Sequence, residues 1–174
     1  MIKIFFSSLL LSYVFVVSIY SLSVADMSNG SIEFNDYRNK KILIVNTATG
    51  DSMANQQLVQ LQQLFQQHQD SLVVIAFPSN SFGNEPGTNA EVKAKMQNVY
   101  GVTFPIATKS WVKGDSANIV YQWLGSKLQN EVMDAKTKRD YQKYLVDKTG
   151  KLVAKFDSII SPLSATMQNA IANY

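Results

Sequence analysis

The chain has 174 residues, 46% hydrophobic and 17% charged, a balance that suits one folded domain with a real core and excludes a disordered chain. Its formal charge of +3 is small and scattered, which argues against a nucleic-acid partner. There is no cysteine and a single histidine, His68, which removes disulfides, thiol chemistry and His/Cys metal clusters together.

The start of the chain differs from the rest. Lys3 is followed by an apolar stretch, Ile4 to Ile19, broken only by Ser and Tyr. Ser23 and Ala25 then stand at the −3 and −1 spacing of a signal-peptidase site. This predicts a signal peptide over 1–25, cleavage after Ala25, and export to a periplasm or beyond. If uncleaved, the segment would act as a membrane anchor. No second long apolar run follows, so 26–174 reads as one domain.

Residues 26–40 are polar and read as an arm and turns. Lys41 to Asn46 is a short apolar, β-branched run, the pattern of a strand buried on both faces. Leu58, Leu61, Leu64 and Phe65 recur at helical spacing among glutamines, which predicts a helix over 54–69. Leu72 to Phe77 is a second buried strand, ended by Pro78. A Ser/Asn/Gly/Pro-rich loop over 79–89 follows, then a helix over 90–100 capped by Gly101. Val102 to Ile106 is a short strand with Pro105 marking an edge or turn. Ser116 to Leu124 reads as a helix, with Trp123 and Ile119 on its core face. Trp111, after a polar turn, is the better candidate for exposure. An irregular connection over 125–138 leads to a hairpin, Tyr144–Asp147 and Leu152–Phe156, about Lys148-Thr-Gly150. Ser161-Pro162 opens a final helix. Strands alternating with helices and closed by a hairpin indicate an α/β sandwich.

Several of these segments resemble the glutathione peroxidases. Ile44-Val-Asn-Thr-Ala-Thr49 resembles that family's Val-Asn-Val-Ala-Ser strand end, and Phe77-Pro-Ser-Asn-Ser-Phe-Gly83 with Glu85-Pro-Gly87 resembles its Phe-Pro-Cys-Asn-Gln-Phe-Gly…Glu-Pro-Gly loop. Tyr100-Gly-Val-Thr-Phe-Pro105 and Lys143-Tyr-Leu-Val-Asp-Lys-Thr-Gly150 are similar to two further family segments, in the same order. The resemblance implies a thioredoxin-like sandwich, a central mixed sheet flanked by helices. It also implies a departure at the start, since 26–31 leaves no room for the family's first strand and hairpin.

The family's reactive position, a Cys or selenocysteine at a strand-to-helix turn, falls on Asp51, followed by Ser52 where the family has Gly. Its active-site Gln falls on Ser81, and its Trp-Asn pair on Arg139 and Asp140. Peroxide reduction needs a polarizable thiolate or selenolate that can be oxidised and regenerated. Asp51 keeps a negative charge at a helix start but cannot pass through a sulfenic acid. In the family the four positions converge, which predicts that Asp51, Ser81, Arg139 and Asp140 meet and that Arg139 pairs with a carboxylate.

Other chemistry has little support. His68 reads as a solvated helix residue, and no nucleophile motif accompanies it. Two carboxylates beside an arginine make a poor oxygen-rich metal site, so no metal and no cofactor is expected. The Gly-containing loop over 83–87 lacks phosphate-loop spacing. The expected function is that of an exported, non-catalytic binding protein with a protein or small-molecule partner. The alternative is glutathione- or thioredoxin-dependent hydroperoxide reduction by another route.

Overall fold

The computed structural model describes residues 16–174. Strand β3 (Lys41–Thr47) lies between β4 (Leu72–Pro78) and β5 (Lys143–Val146), with β6 (Leu152–Phe156) outermost, giving a four-stranded sheet of order β4-β3-β5-β6. β3 and β4 are parallel and joined through helix α1 (Ala54–His68), whereas β3–β5 and β5–β6 are antiparallel. A shorter antiparallel pair, β1 (Ser23–Ala25) and β2 (Ser31–Glu33), completes the strands among the described residues.

β3 and β4 are buried along their whole length, as their continuous apolar runs require when both sheet faces are covered. Leu43, Val45, Val74 and Leu145 face α1, α2 (Asn89–Asn98) and α5 (Ala165–Asn173), meeting Leu58, Leu61, Leu64, Met96 and Met167. Ile42, Ile44, Ile75, Phe77 and Tyr144 face the other way, onto α3 (Ile119–Leu124) and the chain from Ile19 to Phe34. The predicted α/β sandwich with a central mixed sheet is the one observed.

Four local expectations change. Val102 to Ile106 is not a strand. Pro105 leaves only a single parallel bridge, Ala76 to Ile106, beside β4. α5 starts at Ala165 rather than at Pro162, because the Ser164 hydroxyl caps it by accepting from Met167 N at 3.3 Å. The connection over 125–138 contains a single helical turn, α4 (Lys127–Asn130), pinned by the buried Asn130, whose amide donates to Trp123 O and Met133 O. Trp123 is core and Trp111 is 53% exposed, as read, but Ile119 is 51% exposed. It opens α3 just after the capping Asn118, and its neighbour Val120 takes the buried place instead.

The largest change concerns the start of the domain. The segment expected to precede it is part of the core: Ile19, Tyr20, Leu22 and Val24 are all buried. The Tyr20 hydroxyl donates to Lys148 O at 2.9 Å across the β5–β6 turn, and Arg38 stacks on the ring at 4.3 Å. Gly150, at φ +89°, lies so close to this ring that a Cβ there would meet Tyr20 at 2.6 Å. Trp123 Nε1 donates to Val17 O at 2.6 Å. The first strand and hairpin, expected to lack room, are therefore present as β1 and β2, with Asp26 Oδ1 accepting from Ser28 N and Gly30 N in the turn. A boundary between Ala25 and Asp26 would divide that hairpin. Residues 1–15, most of the segment expected as a signal peptide, lie outside the described residues.

Burying a large apolar side chain stabilises by about 1.5–3 kcal/mol, so losing several of this group would consume a stability of roughly 5–15 kcal/mol. A chain beginning at Asp26 should give no cooperative thermal transition by circular dichroism, whereas one beginning at Val16 should melt cooperatively. Equal melting of the two would mean that the segment before Asp26 is dispensable.

Candidate functional site

Where β3 ends, the chain must turn into α1, and other segments close on that turn. Gly50 N donates to Asn84 O at 3.0 Å, and a Cβ on Gly50 would meet the same oxygen at 2.6 Å, so only glycine permits this approach. The buried Glu85 carboxylate accepts from Thr49 N at 2.5 Å and from Thr49 Oγ1 at 2.8 Å. Lys95 Nζ donates to Thr49 O at 2.8 Å.

Asp51 sits just before α1, with Oδ1 accepting from Met53 N at 2.8 Å, where the helix N-terminus favours a negative charge. Asn84 Nδ2 donates to Asp51 Oδ2 at 3.3 Å and to Asp140 Oδ2 at 2.9 Å, so one amide bridges two carboxylates. Asp140 is buried, and its Oδ1 has no hydrogen-bond partner. Burial holds the Asp140 carboxyl above the usual carboxylate range; the Asn84 bond opposes this, and the Asp51 charge adds to it.

Asp140 reaches this position through a strained bend. Tyr141 has φ +60°, a conformation that costs a non-glycine residue about 1–2 kcal/mol. Its N–H donates to Asn46 O at 2.8 Å, its hydroxyl donates to Ala48 O at 2.6 Å, and Asn46 Nδ2 donates to Arg139 O at 3.0 Å. Lys143 follows, fully buried, with Nζ donating to Tyr141 O and Ile160 O, each at 2.9 Å. Burial brings its pKa down to about 7, with the Asp157 charge opposing.

Of the four positions singled out in the sequence, the structure joins Asp51 and Asp140. Ser81 is buried and turned to a neighbouring segment, its Oγ accepting from Ser79 Oγ at 2.9 Å and from Val112 N at 3.0 Å. Arg139 does not pair with Asp51 or Asp140. Its side chain is 61% exposed and lies 3.8 Å from Asp157. Asp140 points inward, onto Asn84, and Arg139 outward. Asn84, the bridge, was not singled out; its only signal was its place in the Gly83-Asn84-Glu85-Pro86 turn. His68 accepts or donates at 3.1 Å to Gln168 on α5, away from these groups. Among the described residues no group of three or more His, Cys, Asp or Glu side chains is placed to hold a metal ion.

Two outcomes follow from the buried charges. The Asp140 carboxylate is favoured less in the fold than in the unfolded chain, so Asp140→Asn should raise the urea midpoint at pH 7. That gain should vanish below about pH 4, where the Asp140 carboxyl is neutral in the folded and the unfolded chain alike. A lower midpoint for the variant at pH 7 would show that the ionised carboxylate is the form the site favours. For Lys143 the unfolded chain binds the extra proton, so stability should rise from about pH 7 toward 10. Above about pH 10 it should fall, because the buried Tyr121, Tyr141 and Tyr144 resist the ionisation that the unfolded chain undergoes. Urea titrations across this range test the peak, and Lys143→Met should flatten its rising side.

Residues 19–125 match the family model described as Glutathione peroxidase. A glutathione peroxidase-like peroxiredoxin of Chlamydomonas reinhardtii is 40% identical over 147 residues, spanning 83% of this chain and 90% of the relative. One of Saccharomyces cerevisiae is 36% identical over 149 residues, spanning 84% and 91%. The solved structure of Trgpx in its apo form superposes with a TM-score of 0.69 at 26% identity, over 90% of this chain and 94% of that one. A thioredoxin-family thiol:disulfide interchange protein of Chlorobium tepidum superposes with a TM-score of 0.62 at 13% identity, over 90% and 94%. At that identity the likeness is one of fold, and it is the thioredoxin fold.

Proposed function

The chain belongs to the glutathione peroxidase family, and we propose that it is an exported, non-catalytic member acting by binding a partner or ligand through the face where the family carries its reactive group. The observation that carries this reading is Asp51. Its carboxylate occupies the turn before α1 and is already engaged by Met53 N and by Asn84. A carboxylate can neither attack the O–O bond as a thiolate does nor be reduced back from an oxidised state. With no cysteine anywhere in the chain, neither a displaced nucleophile nor a resolving thiol is available. Methionine offers only stoichiometric consumption of peroxide without a reductase.

The names of the relatives, peroxiredoxins among them, describe those proteins. The local geometry supports a different use here: the loop over 79–87 is fastened to the β3 end through Glu85 and Asn84, closing the turn rather than opening it to a substrate. Export rests on Lys3 and the apolar run that follows. Because Ile19 to Ala25 belongs to the fold, any processed chain that keeps it starts no later than Ile19.

Purified protein with hydrogen peroxide or a lipid hydroperoxide, and glutathione or thioredoxin as coupled reductant, should show no turnover above the protein-free rate. Asp51→Cys should restore little, because Ser81, Arg139 and Asp140 remain. Steady turnover by the unaltered chain would overturn the proposal in favour of an unrecognised peroxidase route.

A further inference from the structure

Between Lys3 and the first described residues, Ile4 to Phe15 is an apolar stretch broken only by Ser and Tyr. Its length is within the range of about 7–15 residues for the apolar centre of a signal peptide. A signal peptidase reads the side chains just before its cut: the one at −1 must be small, and the one at −3 small or short and aliphatic. After this stretch Ser18, Ser21, Ser23 and Ala25 could each stand at −1.

The structure separates these four. A cut after Ser21 removes Ile19 and Tyr20, one after Ser23 removes Leu22 as well, and one after Ala25 removes Val24 too, all of them buried. The Ala25–Asp26 bond also lies in the β1–β2 hairpin, where Thr108 N donates to Ala25 O at 2.8 Å and Asp26 N to Gly30 O at 3.0 Å. Ser18 differs. Its side chain is exposed, its backbone is extended at φ −69° and ψ 135°, and Val16, at the −3 spacing from it, is 53% exposed. The fully buried part of the segment begins at the next residue, Ile19, which is 0% exposed. The family match, 19–125, begins at that residue too.

We propose that the chain is processed between Ser18 and Ile19. A signal peptidase hydrolyses this peptide bond: water adds across it, Ser18 leaves with the leader as a carboxylate, and Ile19 keeps the nitrogen as a protonated α-amine. The cut releases the bonds that Ser18 accepts from Tyr20 N, Ser21 N and Ser21 Oγ, at a surface where water replaces them. Further in, it removes Val17 O, the acceptor of Trp123 Nε1. Ile19, Tyr20, Leu22 and Val24 all stay with the fold. The proposal rests on the export reading and goes beyond it by assigning the bond that is cut; it is independent of the chemistry at Asp51.

The test is expression of the full chain from Met1 in a diderm bacterial host, with intact mass and N-terminal sequencing of the periplasmic fraction. The periplasmic chain is expected to begin at Ile19. Ser18→Tyr should abolish that product and leave the precursor, whereas Ala25→Tyr, also at an exposed position, should leave processing unchanged. A chain made to begin at Ile19 should melt cooperatively within about 5 °C of one beginning at Val16, since it loses little more than one inward hydrogen bond. A periplasmic chain beginning at Asp26, or anywhere other than Ile19, would overturn the proposal. Processing blocked by Ala25→Tyr but not by Ser18→Tyr would do the same, as would a chain from Ile19 without a cooperative transition. Full-length protein held in the membrane with its domain in the periplasm would overturn the proposal and leave export standing; full-length protein in the cytoplasm would overturn both.

Discussion

The turn that leaves the central strand is short, and every segment of the site is fastened to it. Between Asn46 and Gly50 the backbone and side chains receive Tyr141 N, Tyr141 Oη, Lys95 Nζ and Ser79 N, and they donate to Glu85, Asn84 O and Arg139 O. Each buried polar group left unpaired costs about 1–3 kcal/mol, and although Asn46 Oδ1 and Thr47 Oγ1 stay without a partner, the backbone groups at this end of the strand are paired. Satisfying them draws the loop over 79–87 and the bend at 139–143 onto the same point. The convergence of Asp51, Asn84 and Asp140 is thus a consequence of hydrogen-bond satisfaction at a strand end and does not require any reactive group at residue 51.

This explains how the family fold can persist with an aspartate at residue 51. The scaffold contacts use Gly50, Glu85 and Tyr141, none of which is the reactive position. Asp51 adds a carboxylate where the helix terminus favours one, and it gains a hydrogen bond from Met53 N. Asp140 is less comfortable, since a second carboxylate is buried near the first with one oxygen unpartnered. The Asn84 amide, with two N–H groups to give, is the group that makes the pair tolerable.

Much of the fold was legible because it is written in period. The continuous runs of β3 and β4, the Leu stripe of α1 and the β5–β6 hairpin each carry a pattern that survives without neighbours. What misled were local choices between competing residues. Ser164 outcompeted Ser161 for the α5 cap, and at the start of α3 it is Val120, not Ile119, that enters the core with Trp123. Within the site, the position of Asp140 followed from the family register, but the direction of Arg139 did not. Nor does any sequence pattern announce the positive φ of Tyr141, a non-glycine residue, just after this pair.

The N-terminal segment shows a different limit, because its composition supports two readings at once. An export leader needs an apolar stretch followed by small residues, and an edge hairpin packed under a sheet needs apolar residues alternating with small polar ones. Ser21 to Ala25 satisfies both: Leu22 and Val24 point inward, while Ser21, Ser23 and Ala25 point outward. The small residues that resemble a cleavage site are thus the solvent-facing positions of β1. Only the contacts at long range separate the readings, Tyr20 with Lys148 and Gly150, and Trp123 with Val17. They tie the first described residues to the β5–β6 turn and to α3, and so part of the covering of one sheet face comes from the segment that by composition alone looks disposable.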